Sequence, residues 1–374
     1  MKLLRYEITG LFGRSGSIEA DFRTDLNIFT GRNGAGKTTV MKLLWYVMSG
    51  NILHALNEVP FSKVYIETDR YECTVFRLSK NTCKVEFKET EGSVRIFEDE
   101  VDIDGDMLVN AEDEANPAIR EHGTSVFFPT FRRIEGGFTL SASRQFGSGR
   151  SRVRSDIEDA LIALSRKLSN DPHVFVSSIS TVDIVSILLR QYADLSDLSS
   201  TLQESTSQEI INTIKQHKAD PDDKNSIEAA SSLLDTIRAK IEGMELKREE
   251  ILAPFDEVRK VIEGLFRNIG INIGTRLSFG NAAGAVNSDA LSAGEKQMLS
   301  FICYNAFYKD AIVFIDEPEL SLHVDWQRML FPILMRQQST NQFIISTHSP
   351  FIYSKFPQNE ISLDIDRGDQ AVVS

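Results

Sequence analysis

The 374 residues carry 54 Asp and Glu against 41 Lys and Arg, a net charge of −13, and 41% of them are hydrophobic. That is enough apolar sequence for one large domain or two modest ones. The acidic balance excludes bulk electrostatic binding of nucleic acid, which needs clustered Lys and Arg, while leaving room for a local basic stripe. Cys73, Cys83 and Cys303 form no C-x-x-C pair and no familiar zinc spacing, and read as free thiols of a reducing compartment. With no secretory leader and no apolar run of about 18 residues, the chain is expected to be soluble and cytoplasmic.

Residues 1–30 alternate apolar and polar and end in Leu26-Asn-Ile-Phe-Thr30, which predicts strands leading into the glycine-rich segment that follows. Val40 to Met48 continues as an apolar helix. Period-2 runs between 63 and 104, such as Lys63-Val-Tyr-Ile-Glu67 and Lys84-Val-Glu-Phe-Lys88, predict an antiparallel sheet lobe. Within the acidic stretch 98–121, Asp102, Asp104 and Asp106 have the spacing of a calcium loop. Met107 occupies the position where that loop needs glycine, so a solvated acidic loop is the reading.

Thr124-Ser-Val-Phe-Phe128 is a buried-strand candidate, followed by Pro129-Thr-Phe-Arg-Arg133 and a Gly/Ser/Arg-rich stretch ending near Arg154. From Ser155 to about Asn268 the pattern is helical. Leu233, Ile237, Ile241 and Met244 step along one face, Asp220 to Asn225 looks like a turn between two helices, and Pro254 is placed to kink or end the second. Strands are expected to resume from about Ile271. The chain thus divides into residues 1–154, a helical insertion at 155–268, and residues 269–374.

Four motifs carry the chemistry. Gly31-Arg-Asn-Gly-Ala-Gly-Lys-Thr-Thr39 fits the phosphate-loop pattern G-x-x-x-x-G-K-[ST]. The backbone of Asn33, Gly34, Ala35 and Gly36 would cradle phosphates, with the positive end of the next helix beyond. Lys37 would reach the β- and γ-phosphates, Thr38 would hold Mg²⁺, and Thr39 is a further nucleotide-binding candidate at the helix start. Ile312-Val-Phe-Ile-Asp-Glu-Pro318 is an apolar strand delivering two acids at its carboxyl end. Asp316 is placed to hold Mg²⁺ and Glu317 to polarise the attacking water. Phe343-Ile-Ile-Ser-Thr-His348 is a second apolar strand, ending in a histidine that reads as a γ-phosphate contact.

The remaining motif, Leu291-Ser-Ala-Gly-Glu295, resembles the ATP-binding-cassette signature Leu-Ser-Gly-Gly-Gln. It departs at Ala293 and Glu295 and retains Ser292 and Gly294. Ser292 would cap a helix whose N-terminus, with Gly294 and Glu295, faces ATP held by another chain. Together the four motifs describe ATP clamped between two copies of the chain. Ser321-Leu-His323 resembles the loop that couples the two sites of a dimer, although His323 reads equally well as a packed surface histidine. Gln145 is a weak candidate for the glutamine that couples the lobes.

These motifs, with Met1-Lys-Leu-Leu-Arg5 and Gly10-Leu-Phe-Gly13, resemble the SMC-like and OLD-like branch of cassette ATPases. The resemblance covers residues of roughly 1–50 and 285–352. It implies an α/β, ABC-type ATPase head: a mixed sheet around the phosphate loop, an antiparallel β lobe and an inserted helical arm. It also implies ATP and Mg²⁺ as cofactors and a homodimer formed through shared ATP sites. The arm is short for a chromosome-scale coiled coil and has no Cys-x-x-Cys hook, and the segment after His348 is short for a Toprim nuclease domain. What remains is similar to the ATPase subunits of two-gene antiphage systems, which act with a separate effector protein, in some cases a nuclease.

The alternative is a DNA-repair or DNA-tethering ATPase. Its basic surface would be Arg132, Arg133, Arg144, Arg150, Arg152 and Arg154, a stretch that also reads as a solvated loop. A transporter motor does not fit the helical insertion between Lys37 and Ser292. No nuclease, protease or transferase constellation stands outside the nucleotide motifs, so ATP hydrolysis without nucleic-acid cleavage is the expected chemistry.

Overall fold

The computed structural model describes residues 1–101, 107–130, 133–134, 156–179, 181–216, 226–266, 292–337 and 339–363. The chain forms two compact units, Met1–Ser180 together with Asp289–Ser374, and Thr181–Ser288.

Parallel and antiparallel pairing are segregated within the first unit. One six-stranded sheet is antiparallel throughout. It consists of β1 (Leu3–Thr9), β2 (Ser17–Asp21), β4 (Lys63–Thr68), β5 (Tyr71–Arg77), β6 (Cys83–Glu89) and β7 (Val94–Glu98), in the order β2-β1-β4-β5-β6-β7. Its strands alternate as the sequence does, with Val64, Ile66, Val85 and Phe87 turned inward. Helix α3 (Ala111–Arg120) packs against β6 and β7.

The other six-stranded sheet is parallel at every pairing. Its order is β12 (His173–Phe175), β10 (Thr124–Phe128), β14 (Ala311–Asp316), β15 (Gln342–Ser346), β3 (Leu26–Thr30) and β16 (Glu360–Ser362). Strands β3, β14 and β15 are buried along their whole length, which is why they read as unbroken apolar runs rather than alternating ones. Two short pairs complete the strands: β8 (Glu100–Val101) with β9 (Met107–Val109), and β11 (Arg133–Ile134) with β13 (Ser178–Ile179).

Helix α1 (Lys37–Met48) lies against β14 and β15 and is buried continuously from Leu43 to Met48. Its Trp45 ring sits 5.5 Å from Phe127 on β10 and 5.4 Å from Phe175 on the edge strand β12, tying the helix to that side of the sheet. Helices α2 (Ile52–Glu58) and α4 (Asp156–Leu168) belong to this unit, and α4 packs on β12 and β13. Gln342 joins the two sheets: its amide accepts from Leu3 N–H and donates to Leu3 C=O, both at 2.8 Å, as a backbone neighbour would.

The second unit is a helical pair, α5 (Thr181–Gln216) and α6 (Ser226–Phe266). Half-buried Leu195, Leu202 and Ile210 face half-buried Leu233, Ile237 and Met244 at coiled-coil spacing. Ile241, expected on that face, is 41% exposed. Lys240 takes the place instead, its ammonium 2.8 Å from Glu209. Helix α6 runs through Pro254 without ending there. Among the described residues, no helix is long and apolar enough to cross a membrane.

Several sequence readings fall outside the described residues. They are Asp102 to Asp106, the turn at Asp220–Asn225, Gln145, the strands expected from Ile271, and the basic stretch apart from the backbone of Arg133.

Candidate nucleotide site

Strand β3 hands the chain directly to the phosphate loop. Gly36 caps α1 with φ 93°, a left-handed conformation that glycine adopts without penalty. A Cβ there would also meet the Phe12 ring at 2.8 Å. Asn33 and Gly34 form the exposed rim of the loop, Ala35 is buried, and Thr39 is half-buried on the first helical turn. Lys37 is only 5% exposed. Its ammonium lies 3.2 Å from Gly31 C=O, 3.5 Å from Arg32 C=O and 2.6 Å from His348 Nε2. Burial lowers the Lys37 pKa, and the charges of Glu317, Asp316 and Glu319 oppose that shift.

Asp316 ends β14 and is fully buried. Thr38 Oγ1 donates to its Oδ1 at 3.1 Å, Ser346 donates to the same oxygen, and Thr130 donates to Oδ2. The register of the parallel sheet sets Ser346 directly beside Asp316. A buried carboxylate ringed by hydroxyls from three segments is a hard oxygen donor set that fits Mg²⁺. Among the described residues there is no cluster of three His, Cys, Asp or Glu able to hold a metal ion.

Glu317 sits at φ 49°, held by its N–H donating to Ser346 C=O at 3.0 Å. A non-glycine residue in that region costs roughly 1–2 kcal/mol, a strain typical of functional sites. The conformation turns the side chain so that Oε1 lies 3.3 Å from His348 Nε2. Burial, followed by the hydrogen bond and charge of Glu319, pushes the Glu317 carboxyl up to about 8. A carboxylate tuned toward neutrality suits a general base. Burial and the charge of Lys37 lower the His348 pKa, and the charges of Glu319 and Asp316 oppose that shift.

The structure therefore brings Lys37, Thr38, Asp316, Glu317 and His348 together. Ser292, Gly294 and Glu295 form a separate feature at the start of α7 (Ala293–Phe307). Ser292 Oγ accepts from Glu295 N–H at 3.3 Å, and Glu295 Oε2 accepts from Ser292 N–H at 2.7 Å. The glutamate that departs from the signature pattern thus closes a capping box. Gly294 lies against the next loop, where a Cβ would be 2.5 Å from Ser321 C=O. His323 caps α8 (Val324–Arg336), its Nδ1 accepting from Asp325 N–H at 3.4 Å, and its side chain is exposed.

Three site residues were not singled out from the sequence. Thr130 and Ser346 are ordinary hydroxyl residues until the strand order β10-β14-β15 puts them beside Asp316. Glu319 accepts from His348 N–H at 2.7 Å and Ser349 N–H at 3.1 Å. Its position two residues beyond Glu317 was the only signal available.

Residues 1–353 match the family described as "AAA ATPase domain". A stretch of 63 residues is 43% identical to Endonuclease GajA of Bacillus cereus (strain VD045), covering 15% of this chain and 11% of that protein. Among solved structures, the Smc head domain with an extended coiled coil from Pyrococcus furiosus, bound to the C-terminal domain of ScpA, aligns with 98% of this chain and 94% of its own. That match has 12% identity and a TM-score of 0.38. The SMC head domain from Thermotoga maritima aligns with 95% of this chain and 92% of its own, with 12% identity and a TM-score of 0.36.

Proposed function

The chain belongs to the AAA ATPase domain family, and from that premise we propose that it binds and hydrolyses ATP with Mg²⁺ between two copies of itself. Closure of that dimer regulates a separate effector protein. One observation carries the hydrolytic part: five side chains with complementary roles converge from the phosphate loop and the ends of β14 and β15. Lys37 binds the terminal phosphates. Thr38 and Asp316 hold the cation, which when bound neutralises charge on the phosphate oxygens. Glu317 accepts a proton from the attacking water. His348 orients the terminal phosphate from the side facing Glu317.

Ser292 and Gly294 act across the dimer. The capped N-terminus of α7 presents backbone N–H groups and a positive helix end, the chemistry that recognises a phosphate held by the partner chain. Effector control and a role in antiphage defence are supported by the resemblance to ATPase subunits of two-gene systems and by the short identity with an endonuclease. In this reading, nucleic-acid cleavage belongs to the effector and not to this chain.

Phosphate release by the purified chain, measured with ATP, with and without Mg²⁺ and beside Lys37→Ala, tests the hydrolytic reading. Mg²⁺-dependent turnover that Lys37→Ala abolishes supports it. Turnover equal in the two chains contradicts it. Co-purification of the chain with the product of a neighbouring gene tests the regulatory part.

A further inference from the structure

Glu319 joins the two halves of the hydrolytic machinery. One carboxylate oxygen, Oε1, accepts the backbone N–H of His348 at 2.7 Å and of Ser349 at 3.1 Å. The segment it holds leaves the end of β15 and carries the histidine that touches Lys37. The other oxygen, Oε2, is buried, and the Glu319 carboxylate is hydrogen-bonded to the Glu317 carboxyl. Glu319 also contributes charge at both Lys37 and His348. The placement fits a purpose beyond closing a turn.

We infer that Glu319 is a positioning residue for hydrolysis: it fixes the backbone of His348 relative to Glu317, so that the water-polarising carboxylate and the phosphate-contacting imidazole are aligned together. Glu317 directly follows β14 in a left-handed conformation, and His348 follows β15, the adjacent parallel strand. Neither strand by itself sets the distance between the two side chains. Glu319 leaves the turn after β14 and grips two consecutive N–H groups after β15, spanning the gap at the place where the reacting groups meet. Ser349 is held a second way, its hydroxyl donating to Gln327 Oε1 at 2.6 Å. Loss of Glu319 therefore loosens the segment without releasing it.

The inference rests on the reading of Glu317 as the base. The test uses the full chain with Glu319→Ala, Glu319→Gln and Glu319→Asp, beside Glu317→Gln. For each, ATP turnover (kcat and KM) and ADP affinity are measured. Glutamine keeps an acceptor oxygen at the same reach, whereas aspartate keeps the charge but falls short by one methylene. The expected result is a kcat lowered about 10- to 100-fold in Ala, the scale of losing two charge-assisted hydrogen bonds. KM and ADP affinity should stay within about threefold of wild type, and Gln should retain more activity than Asp.

If Glu319→Ala does not fold, the order of Gln and Asp decides alone. Full activity in Asp with loss in Gln overturns the inference, because charge and not the backbone grip would then matter. Wild-type kcat in all three, with Glu317→Gln inactive, overturns this inference only. Wild-type kcat in Glu317→Gln brings down the reading on which it rests.

Discussion

Lys37 Nζ and His348 Nε2 lie 2.6 Å apart, although the residues stand 311 positions apart in the chain. The contact ties the phosphate loop to the end of β15 across the sheet edge where β3, β15 and β14 all terminate. Open parallel sheets bind ligands at that edge. It also means that the lysine which should meet phosphate is already engaged by the histidine that should contact the same phosphate.

Removing the imidazole should separate binding from turnover. His348→Ala is expected to lower ATP hydrolysis roughly 10- to 100-fold, the range of a lost hydrogen bond to a charged group. ADP should bind at least as tightly as in the wild type, because Lys37 is freed. ADP titration beside steady-state turnover checks this, and a matching loss of ADP affinity would refute it.

Lys37→Ala should fail one step earlier. It removes the buried cation proposed to face the phosphates, and nucleotide affinity should fall by about 10-fold or more. Equilibrium binding of a fluorescent ATP analogue measures this. Unchanged affinity would count against the phosphate-loop assignment.

Ser292 has two separable roles. Ser292→Ala removes a helix cap and should cost about 1 kcal/mol of stability, readable in denaturant unfolding. Ser292→Arg obstructs the surface that would meet the partner's nucleotide. Chains with this change should bind ATP but fail to hydrolyse it, and mixing them with Lys37→Ala chains should restore at most one working site per dimer. Normal hydrolysis by a monomeric Ser292→Arg chain would exclude the shared site.

His173 predicts an acid-side stability loss. Its ring is buried, with Nδ1 2.7 Å from Ser125 Oγ and Nε2 3.1 Å from Arg120 C=O, and burial lowers its pKa to about 4. The unfolded chain, with an ordinary pKa of about 6.5, binds the proton more readily than the fold does. The stability associated with the neutral ring is therefore complete above about pH 6.5 and declines as pH falls toward 4, by about 3 kcal/mol in total. Unfolding curves at pH 7 and pH 4.5 for the wild type and His173→Gln should show a smaller pH difference in the variant.

The nucleotide motifs were legible because each is local: a loop between a strand and a helix, or acids at the end of an apolar run. Strands β4 to β6 were legible for a similar reason, since one buried and one half-buried face write an alternation into Lys63–Glu67 and Lys84–Lys88. What connects distant strands was not legible. Thr130 and Ser346 matter only because β10 and β15 flank β14, and no sequence period carries strand order. Hydrophobicity assigns Ile241 to the helical seam, yet Ile241 is exposed and Lys240 lies at the seam, paired with Glu209. Glu295 looked like a departure from a signature until the capping box gave its carboxylate a partner.

On the proposed reading, Glu317 drives hydrolysis in a site closed by two chains. Glu317→Gln keeps the shape of the side chain and removes the base. With ATP and Mg²⁺, its turnover should fall by roughly 10²–10⁴, and light scattering should show a stable dimer that the wild type forms only transiently. Wild-type turnover in Glu317→Gln, or an ATP-loaded variant that stays monomeric, would contradict the account.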